Sequence, residues 1–402
     1  MLRGDEINPE TGVGQVQGLL VAHVDDGCTA GFGDKYDQAL SMLRKKLDVR
    51  KEEEWQFKFL GRRVTQDKDT FDVRVDQHDY VDQILPVTVP LLRKKQKEEK
   101  LTEAELSSYR SLVGKLSWPS HESMPLIAYD VSDLQQRTST ATVHDLLHAN
   151  VVLRRAKEYC RQGFVLKFDS DVGESHDTTE NGNGLATVTD SSWAGQRDLA
   201  SQQGYSLLLS STKIYEGPQK AHMLDWSSTK VKRKIRSTFG VETNAADYGV
   251  DRATLAQAII AEIQTGPLGR EWESKTRMIP LALATDCKSL HDALFTTSIP
   301  QEKRVYLDIL DLRDCVENGL VVRWIPTNMM LVDGLTKHLT VQDTLEGFLR
   351  SSIYSLRYDE GVHFKAKAAK QARLNKKKNK VKATTLFCLA HARRLLEARE
   401  FE

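Results

Sequence analysis

Residues 184–193, GLATVTDSSW, combine the pattern of a buried strand with a carboxylate, Asp190, inside it. A second apolar run, GYSLLLSS at 204–211, and a third, HMLDWSS at 222–228, have the length and composition of further strands. Helical periodicity then covers 241–263. Three consecutive strands followed by a helix therefore indicate a domain of their own in the second half of the chain.

Alternating strands and helices complete this domain. The remaining strands are IPLALATD at 279–286 and LVVRWIP at 320–326. Helices are predicted around Leu290, at 302–317 and from 332. This order predicts a five-stranded mixed sheet flanked by helices, a fold of the α/β (α+β) class.

The first part of the chain is also predicted to mix helices and strands. Residues 16–22 form a short apolar strand, with Asp25 and Asp26 at the turn after it. The remaining predicted elements are a helix at 36–47, a strand pair WQFKFLGRRVTQ (55–66) and TFDVRVDQ (70–77), a polar connection at 91–100, and helices at 104–116 and 144–160. The acidic, Gly/Asn-rich stretch 168–184 marks a linker.

Composition indicates a globular chain without a membrane partner. With 402 residues and 40% hydrophobic content, the chain is long enough for two or three domains. The five cysteines form no CxxC pair, so their spacing encodes neither a disulfide framework nor a zinc site. No apolar run approaches the roughly 20 residues of a membrane span, and the N-terminus lacks a signal-peptide core. We expect an intracellular protein, cytoplasmic or nuclear.

The positive charge is concentrated near the C-terminus. Residues 365–382 contain nine Lys or Arg and no acid, and subtracting them from the net charge of +1 leaves −8 on the rest of the chain. Such a run is typical of a solvated tail, a nuclear import signal or a phosphate-binding arm.

Four acids of the second half adjoin or lie within apolar elements, which fixes their positions. They are Asp190 in the first strand, Glu242 at the start of the long helix, Asp286 at the end of the fourth strand and Asp333 at the start of the last helix. Carboxylates brought together from separate elements suit two-metal phosphodiester hydrolysis by two Mg²⁺ ions, or Mn²⁺. The alternative for any one of them is an ordinary capping or surface acid.

Several segments resemble the ribonuclease H (RNase H) domain of copia-type LTR retrotransposon Pol polyproteins. The segments are TDSSWAGQRDLASQQGYSLLL (189–209), DWSSTKVKRKIRSTFGVETNAA (225–246), ATDCKSLHDAL (284–294) and VVRWIPTNMMLVDGLTKHL (321–339). The resemblance spans about residues 185–340. It implies that Asp190, Glu242, Asp286 and Asp333 are the catalytic metal ligands and that the RNA strand of an RNA/DNA hybrid is the substrate, recognised by shape and 2′-hydroxyl contacts.

The first part of the chain resembles the end of the reverse transcriptase domain in the same polyproteins. LLVAHVDDG (19–27) is similar to the YVDD polymerase motif, with His23 in place of Tyr, FKFLGRRVTQ (57–66) to an FLG strand, and YRSLVGKLSW (109–118) to a helix after the palm. The resemblance implies that Asp25 and Asp26 are two of three polymerase carboxylates. With 24 residues before Asp25, the site is expected to be incomplete and the chain alone not to polymerise DNA; two turn acids are the alternative.

The resemblance also implies a domain plan and partners. The plan is a partial reverse transcriptase region of palm and thumb-like helices at 1–165, a linker at 166–184, an RNase H-like domain at 185–345 and a basic tail at 346–402. The expected partners are nucleic acid, in particular an RNA/DNA hybrid, and other retroelement Pol or capsid components.

Three further features bear on nucleic-acid contact. A basic run before the long helix is a candidate phosphate-binding surface, with a solvated charged edge as the alternative: Lys230, Lys232, Arg233, Lys234 and Arg236. Trp226 is expected in the core rather than as a base-stacking platform. His338, five residues after Asp333, is either close to the metals or an exposed histidine without a role.

Three functions are therefore compatible with the sequence. The first is an active hybrid-specific ribonuclease, since all four acids are present. The second is an inactive retroelement relic or domesticated nucleic-acid-binding protein. The third is part of a longer Pol polyprotein with RNA-directed DNA polymerase activity.

Overall fold

The structure is a computed structural model that describes residues 1–7, 13–47, 49–166, 183–196, 198–297, 299, 302–338 and 343–357. Most of the predicted linker and the basic stretch 365–382 lie outside the described residues, so the structure does not bear on either prediction.

Residues 1–166 form two antiparallel sheets and a group of helices. Their elements are β1 (Leu2–Ile7), β2 (Gly14–His23), β3 (Asp26–Gly31), α1 (Asp34–Lys46), β4 (Gln56–Phe59), β5 (Arg62–Gln66), β6 (Val73–Asp76), α2 (His78–Asp82), α3 (Leu91–Lys94), α4 (Glu103–Glu122), α5 (Ala128–Gln136), α6 (Val143–Tyr159) and β7 (Phe164–Leu166). One sheet has the order β1-β2-β3 and the other the order β4-β5-β6-β7. Helices α4, α5 and α6 pack around a shared core that includes Tyr109, Leu134 and Leu153.

Most predicted elements of this part are confirmed, two predictions need correction, and one long helix was not predicted. The stretch 55–66 is a hairpin rather than one strand, because Leu60 and Gly61 both adopt positive φ angles (50° and 70°) that reverse the chain between β4 and β5. The polar connection 91–100 contains the short helix α3. Helix α5 was not predicted. Its polar side chains, including Asp130 and Asp133, are buried, which obscures the amphipathic period.

Residues 183–357 are built on a six-stranded mixed sheet. The elements are β8 (Asn183–Ser192), β9 (Gln202–Ser211), β10 (Gln219–Lys230), α7 (Thr238–Thr265), α8 (Trp272–Arg277), β11 (Leu281–Thr285), α9 (Lys288–Leu294), α10 (Tyr306–Glu317), β12 (Val321–Trp324), α11 (Asp333–Thr336), α12 (Asp343–Ser351) and β13 (Ile353–Tyr354). The strand order is β12-β11-β8-β9-β10-β13. β8, β11 and β12 are parallel, and the remaining neighbours are antiparallel.

The prediction of a mixed sheet flanked by helices is confirmed, and the predicted count of five strands is wrong. All five predicted strands are present, and β13 adds a sixth by pairing with β10 through Gln219 and Tyr354. A two-residue strand has no measurable hydrophobic period, so it leaves no signal in the sequence.

Helix α7 lies directly against β8 and β9 because its sheet-facing residues are small. Ala245, Ala246 and Ala253 are buried there. A Cβ atom added to Gly249 would lie 2.5 Å from Thr189 Cγ2, so only glycine permits this approach. Although α7 is 28 residues long, neither it nor any other described helix combines the length and apolar character needed to cross a bilayer.

The opposite face of the sheet packs against helices of the first part. Leu126 and Ala128 join Trp226 and Phe348 in one buried cluster. Trp226 is 5% exposed, and its Nε1 donates to the carbonyl of Ser120 at 2.8 Å. The expectation that Trp226 lies in the core is confirmed. Burial of each large apolar side chain in this cluster contributes roughly 1.5–3 kcal/mol.

Candidate active site

Asp190 and Asp286 lie side by side because of the register of two parallel strands. Val188 on β8 pairs with Ala284 on β11, and continuing this register by two residues brings Asp286 next to Asp190. A step of two residues also keeps both side chains on the same face of the sheet. Asp190 is 1% exposed, and Asp286 follows the last residue of β11 directly.

Glu242 approaches the same place from α7. Ser237 caps the helix by accepting a hydrogen bond from Gly240 N at 2.9 Å, so Glu242 lies in its first two turns. Seven residues, or two turns, separate Glu242 from Gly249, which places both on the face against the sheet. One carboxylate oxygen each from Asp190, Glu242 and Asp286 lie within 4.8 Å of one another.

Asp333 lies beside this group, on α11. Gly204 on β9 is paired with Asp190, and a Cβ atom there would lie 3.0 Å from the side chains of Val332 and Thr336. The absence of a side chain at Gly204 therefore lets α11 approach Asp190. Asp333 is not one of the three acids within 4.8 Å; Lys337 Nζ binds its carboxylate and also lies 3.3 Å from Asp190 Oδ2.

Burial and like charges shift the protonation of these acids. Burial, opposed by Lys337 and assisted by Asp333, raises the pKa of Asp190 to about 6. Burial and the neighbouring carboxylates of Asp190 and Asp286 raise the pKa of Glu242. Burial is the larger cause and the negative charge of Asp190 the smaller cause of a raised pKa of Asp286. Burial favours a neutral Lys337, but the carboxylates of Asp190 and Asp333 outweigh it and raise its pKa. The group therefore requires compensating positive charge.

Hydrogen bonds from neighbouring side chains orient two of the acids. Thr327 Oγ1 donates to Asp286 Oδ2 at 2.7 Å, and Thr336 Oγ1 donates to Asp190 Oδ2. Trp324 Nε1 donates to the backbone carbonyl of Asp286 at 2.9 Å. No role was predicted from the sequence for these residues or for Lys337. All of them belong to the stretch WIPTNMMLVDGLTK (324–337). The hydroxyl and lysine side chains around Asp333 were the sequence feature that could have indicated them.

The donor set fits hard divalent cations. The three ligand atoms that converge here are all carboxylate oxygens, which Mg²⁺ and Mn²⁺ prefer over nitrogen or sulfur. Within the described residues, the buried Oε2 atom of Glu242 has no hydrogen-bond partner, so an acceptor is left for a cation to use.

The basic run before α7 lies close to the end of β8 but is partly engaged elsewhere. Trp193, three residues after Asp190, donates from Nε1 to the carbonyl of Ile235 at 3.3 Å, which ties the run to this strand. Lys230 Nζ is 2.5 Å from Asp198 Oδ2, and Arg233 binds Asp308. The side chains of Lys232, Lys234 and Arg236 are exposed.

Asp25 and Asp26 lie apart from the four acids. Both are exposed at the hairpin between β2 and β3, where Val24 has a positive φ of 53°. Among the described residues, neither belongs to a group of three side chains positioned to share a metal. The assignment of this pair to an incomplete polymerase site stays a prediction.

His338 does not join the carboxylates. Its Nε2 atom is 3.8 Å from Asp130 Oδ1 on α5, and its ring centre is 5.1 Å from that of His148 on α6. Lys337 thus points to the four acids, whereas the next residue belongs to a different cluster.

No family model and no curated protein matches the chain. Among solved structures, it is similar to RNase H1 from Halobacterium salinarum NRC-1, with 11% identity over 35% of this chain and 85% of that chain and a TM-score of 0.23. It is also similar to the foamy viral protease-reverse transcriptase in complex with an RNA/DNA hybrid (12% identity, 81% and 36% of the two chains, TM-score 0.39) and with dsDNA (12%, 77% and 55%, TM-score 0.40).

The chain spans about a third to a half of these two foamy viral chains. With identities of 11–12% and TM-scores below 0.5, these similarities do not establish the activity of the chain.

Proposed function

We propose that the chain is a metal-dependent ribonuclease of the RNase H type that hydrolyses the RNA strand of RNA/DNA hybrids. The observation that carries the proposal is the convergence of Asp190, Glu242 and Asp286, from three separate elements, within 4.8 Å. The resemblance of residues 185–340 to the RNase H domain of copia-type Pol polyproteins supports the choice of substrate. Asp333 is proposed as the fourth acid because it lies beside Asp190.

Asp190, Glu242 and Asp286 would hold the metal ions, with Thr327 and Thr336 fixing the orientation of two carboxylates. Two Mg²⁺ or Mn²⁺ ions supply activation of a water molecule and stabilisation of the leaving 3′-oxygen when bound. Lys337 neutralises part of the carboxylate charge in the absence of metal, since it contacts both Asp190 and Asp333. Its ammonium group therefore preserves a compact arrangement of acids.

The exposed basic residues beside the site would contact the substrate. Lys232, Lys234 and Arg236 lie on the segment that Trp193 ties to the end of β8. Their charges would hold phosphates of the hybrid near Asp190. Arg233 and Lys230 contribute less, because Asp308 and Asp198 already neutralise them.

Cleavage by the full chain tests the proposal. Labelled RNA annealed to DNA is incubated with protein and Mg²⁺, beside the same RNA in an RNA/RNA duplex. Asp190→Asn and Asp286→Asn are expected to lower the rate at least about 100-fold, since each removes a metal ligand. Asp314→Asn, which changes an exposed acid on α10, is the matched control and should cleave normally.

A nucleic-acid-binding protein without nuclease activity is the second candidate. The contact of Lys337 with both Asp190 and Asp333 favours it, because a lysine can neutralise these acids without metal. Hybrid binding in a gel-shift assay by folded protein that cuts no RNA with Mg²⁺ or Mn²⁺ would support this candidate and exclude the nuclease.

A further inference from the structure

A cluster of one carboxylate and two imidazoles lies between α5, α6 and the segment after α11. His148 Nε2 is 3.5 Å from Asp130 Oδ1, and His338 Nε2 is 3.8 Å from the same oxygen. The three atoms lie within 4.8 Å of one another. Three separate elements therefore direct three ligand-type atoms at one point, outside the four acids described above.

Two of these atoms are buried without a hydrogen bond. Asp130 is fully buried, and within the described part of the chain neither its Oδ1 atom nor His148 Nε2 has a hydrogen-bond partner. Buried polar atoms nearly always have a hydrogen-bond partner. An acceptor and an imidazole nitrogen that face each other without one therefore indicate a binding site for an ion. A cation bound between them would satisfy both atoms.

The surroundings of Asp130 orient it for this role. Arg155 Nη1 donates to Asp130 Oδ2 at 2.8 Å, which leaves Oδ1 directed at the histidines. Such a hydrogen bond to the distal oxygen of a carboxylate is how proteins commonly fix metal ligands. Asp133, which is paired with Arg137, is also close enough to His148 for their charges to interact.

We propose that Asp130, His148 and His338 bind one Zn²⁺ ion. Two imidazoles and one carboxylate are a typical zinc donor set, whereas Mg²⁺ disfavours nitrogen. Zinc–ligand bonds of about 2.0–2.2 Å separate tetrahedral ligands by roughly 3.3–3.6 Å, close to the present distances of 3.5 and 3.8 Å. His338 is half exposed, so water completes the coordination from the solvent side.

The ion would join the first part of the chain to the segment that carries Asp333 and Lys337. His338 follows Lys337 directly, whereas Asp130 and His148 lie on α5 and α6. Zinc bound here would fix the position of His338, while the preceding residues Thr336 and Lys337 contact Asp190. The two groups of ligand atoms share no residue, so the zinc proposal does not depend on the proposed nuclease activity.

Metal analysis of the full chain tests the proposal. Chelator-treated protein is titrated with Zn²⁺, and separately with Co²⁺ as a spectroscopic probe, in excess Mg²⁺ that competes for the carboxylate site. One Zn²⁺ per chain is expected. His148→Ala and His338→Ala should each lower the affinity for Zn²⁺ at least about 100-fold. Removing a residue that only supports a ligand costs up to about 100-fold, and removing the ligand itself should cost no less.

Two controls separate this site from others. His144→Ala removes an exposed histidine one turn earlier on α6, and Asp286→Asn removes a carboxylate of the candidate active site; both should retain Zn²⁺. Circular dichroism checks folding, and His338→Gln, at a half-exposed position, removes the imidazole with little change in packing. Absence of tight Zn²⁺ binding, equal binding by the histidine variants, or a thiolate-to-Co²⁺ absorption band would overturn the proposal.

Discussion

Lys337 is the residue on which the charge balance of the carboxylate group depends. Its ammonium contacts Asp333 and lies 3.3 Å from Asp190, both almost fully buried. The pKa of Asp190 is raised to about 6 even with this partner, because burial outweighs the attraction. A divalent cation bound by these acids would supply positive charge as Lys337 does, so each would reduce the need for the other.

Replacing Lys337 with Met should destabilise the metal-free protein more than the metal-bound protein. Loss of one partner of a largely buried ion pair costs a few kcal/mol, and partial exposure of Lys337 reduces this to about 2 kcal/mol. Thermal unfolding with EDTA and with Mg²⁺ measures the difference. Lys288→Met, which removes an exposed pair with Asp292, should change stability by less than about 0.5 kcal/mol. An equal loss with and without Mg²⁺ would contradict this account.

At the scale of elements, the sequence was informative wherever hydrophobic period and burial agreed. The strands carrying Asp190 and Asp286 were predictable because apolar runs lead directly into each acid. Helix α5 was missed because buried Asp130 and Asp133 interrupt its apolar face. The Asp130–His148–His338 cluster was also beyond sequence reasoning, since its members share no local spacing and meet only through the packing of three elements.

The packing of α7 against α10 provides a pH-dependent prediction. The pKa of Asp247 on α7 is raised to about 6. Burial is the largest cause, and repulsion by the carboxylates of Asp308, Asp251 and Asp311 adds to it. The folded state therefore binds more protons than the unfolded state between about pH 4 and 6, and its stability from this residue falls as pH rises through that range. Asp247→Asn should remove this fall and stabilise the protein at pH 7, by about 1 kcal/mol once solvent screening of a half-buried side chain is considered.

Urea unfolding of both proteins at pH 4.5 and pH 7 measures this effect. The gain should be present at pH 7 and small at pH 4.5. Asp314→Asn, an exposed position on α10, is the control and should stay within about 0.5 kcal/mol of the unmodified protein. A gain that is larger at pH 4.5 than at pH 7 would show that repulsion around Asp247 is not its cause.

At the scale of the whole molecule, residues 1–166 and 183–357 share contacts that the sequence could not reveal. Gln136 Nε2 donates to Gln202 Oε1 at 2.9 Å, and Tyr159 donates to Glu346. Arg3 donates to the carbonyl of Ile263 at 2.7 Å, near the C-terminus of α7. Such contacts depend on tertiary packing between segments far apart in the chain, whereas hydrophobic periodicity reports only local structure. The predicted boundaries at 165 and 185 therefore stay a prediction that unfolding experiments can test.

Trp226→Phe tests whether these two parts unfold together. The substitution removes the hydrogen bond that the Ser120 carbonyl accepts and places a smaller ring in the cluster. The free energy of unfolding should therefore fall by about 2–3 kcal/mol. Because Trp226, Leu126 and Ala128 belong to one buried cluster, we expect a single transition that moves to lower urea concentration.

Tryptophan fluorescence and far-ultraviolet circular dichroism should give the same midpoint. Trp272→Phe, at a half-exposed position on α8, should leave that midpoint nearly unchanged. Two separate transitions, only one of which responds to Trp226→Phe, would instead show that the parts on either side of residues 167–182 are independent domains, as the sequence predicts.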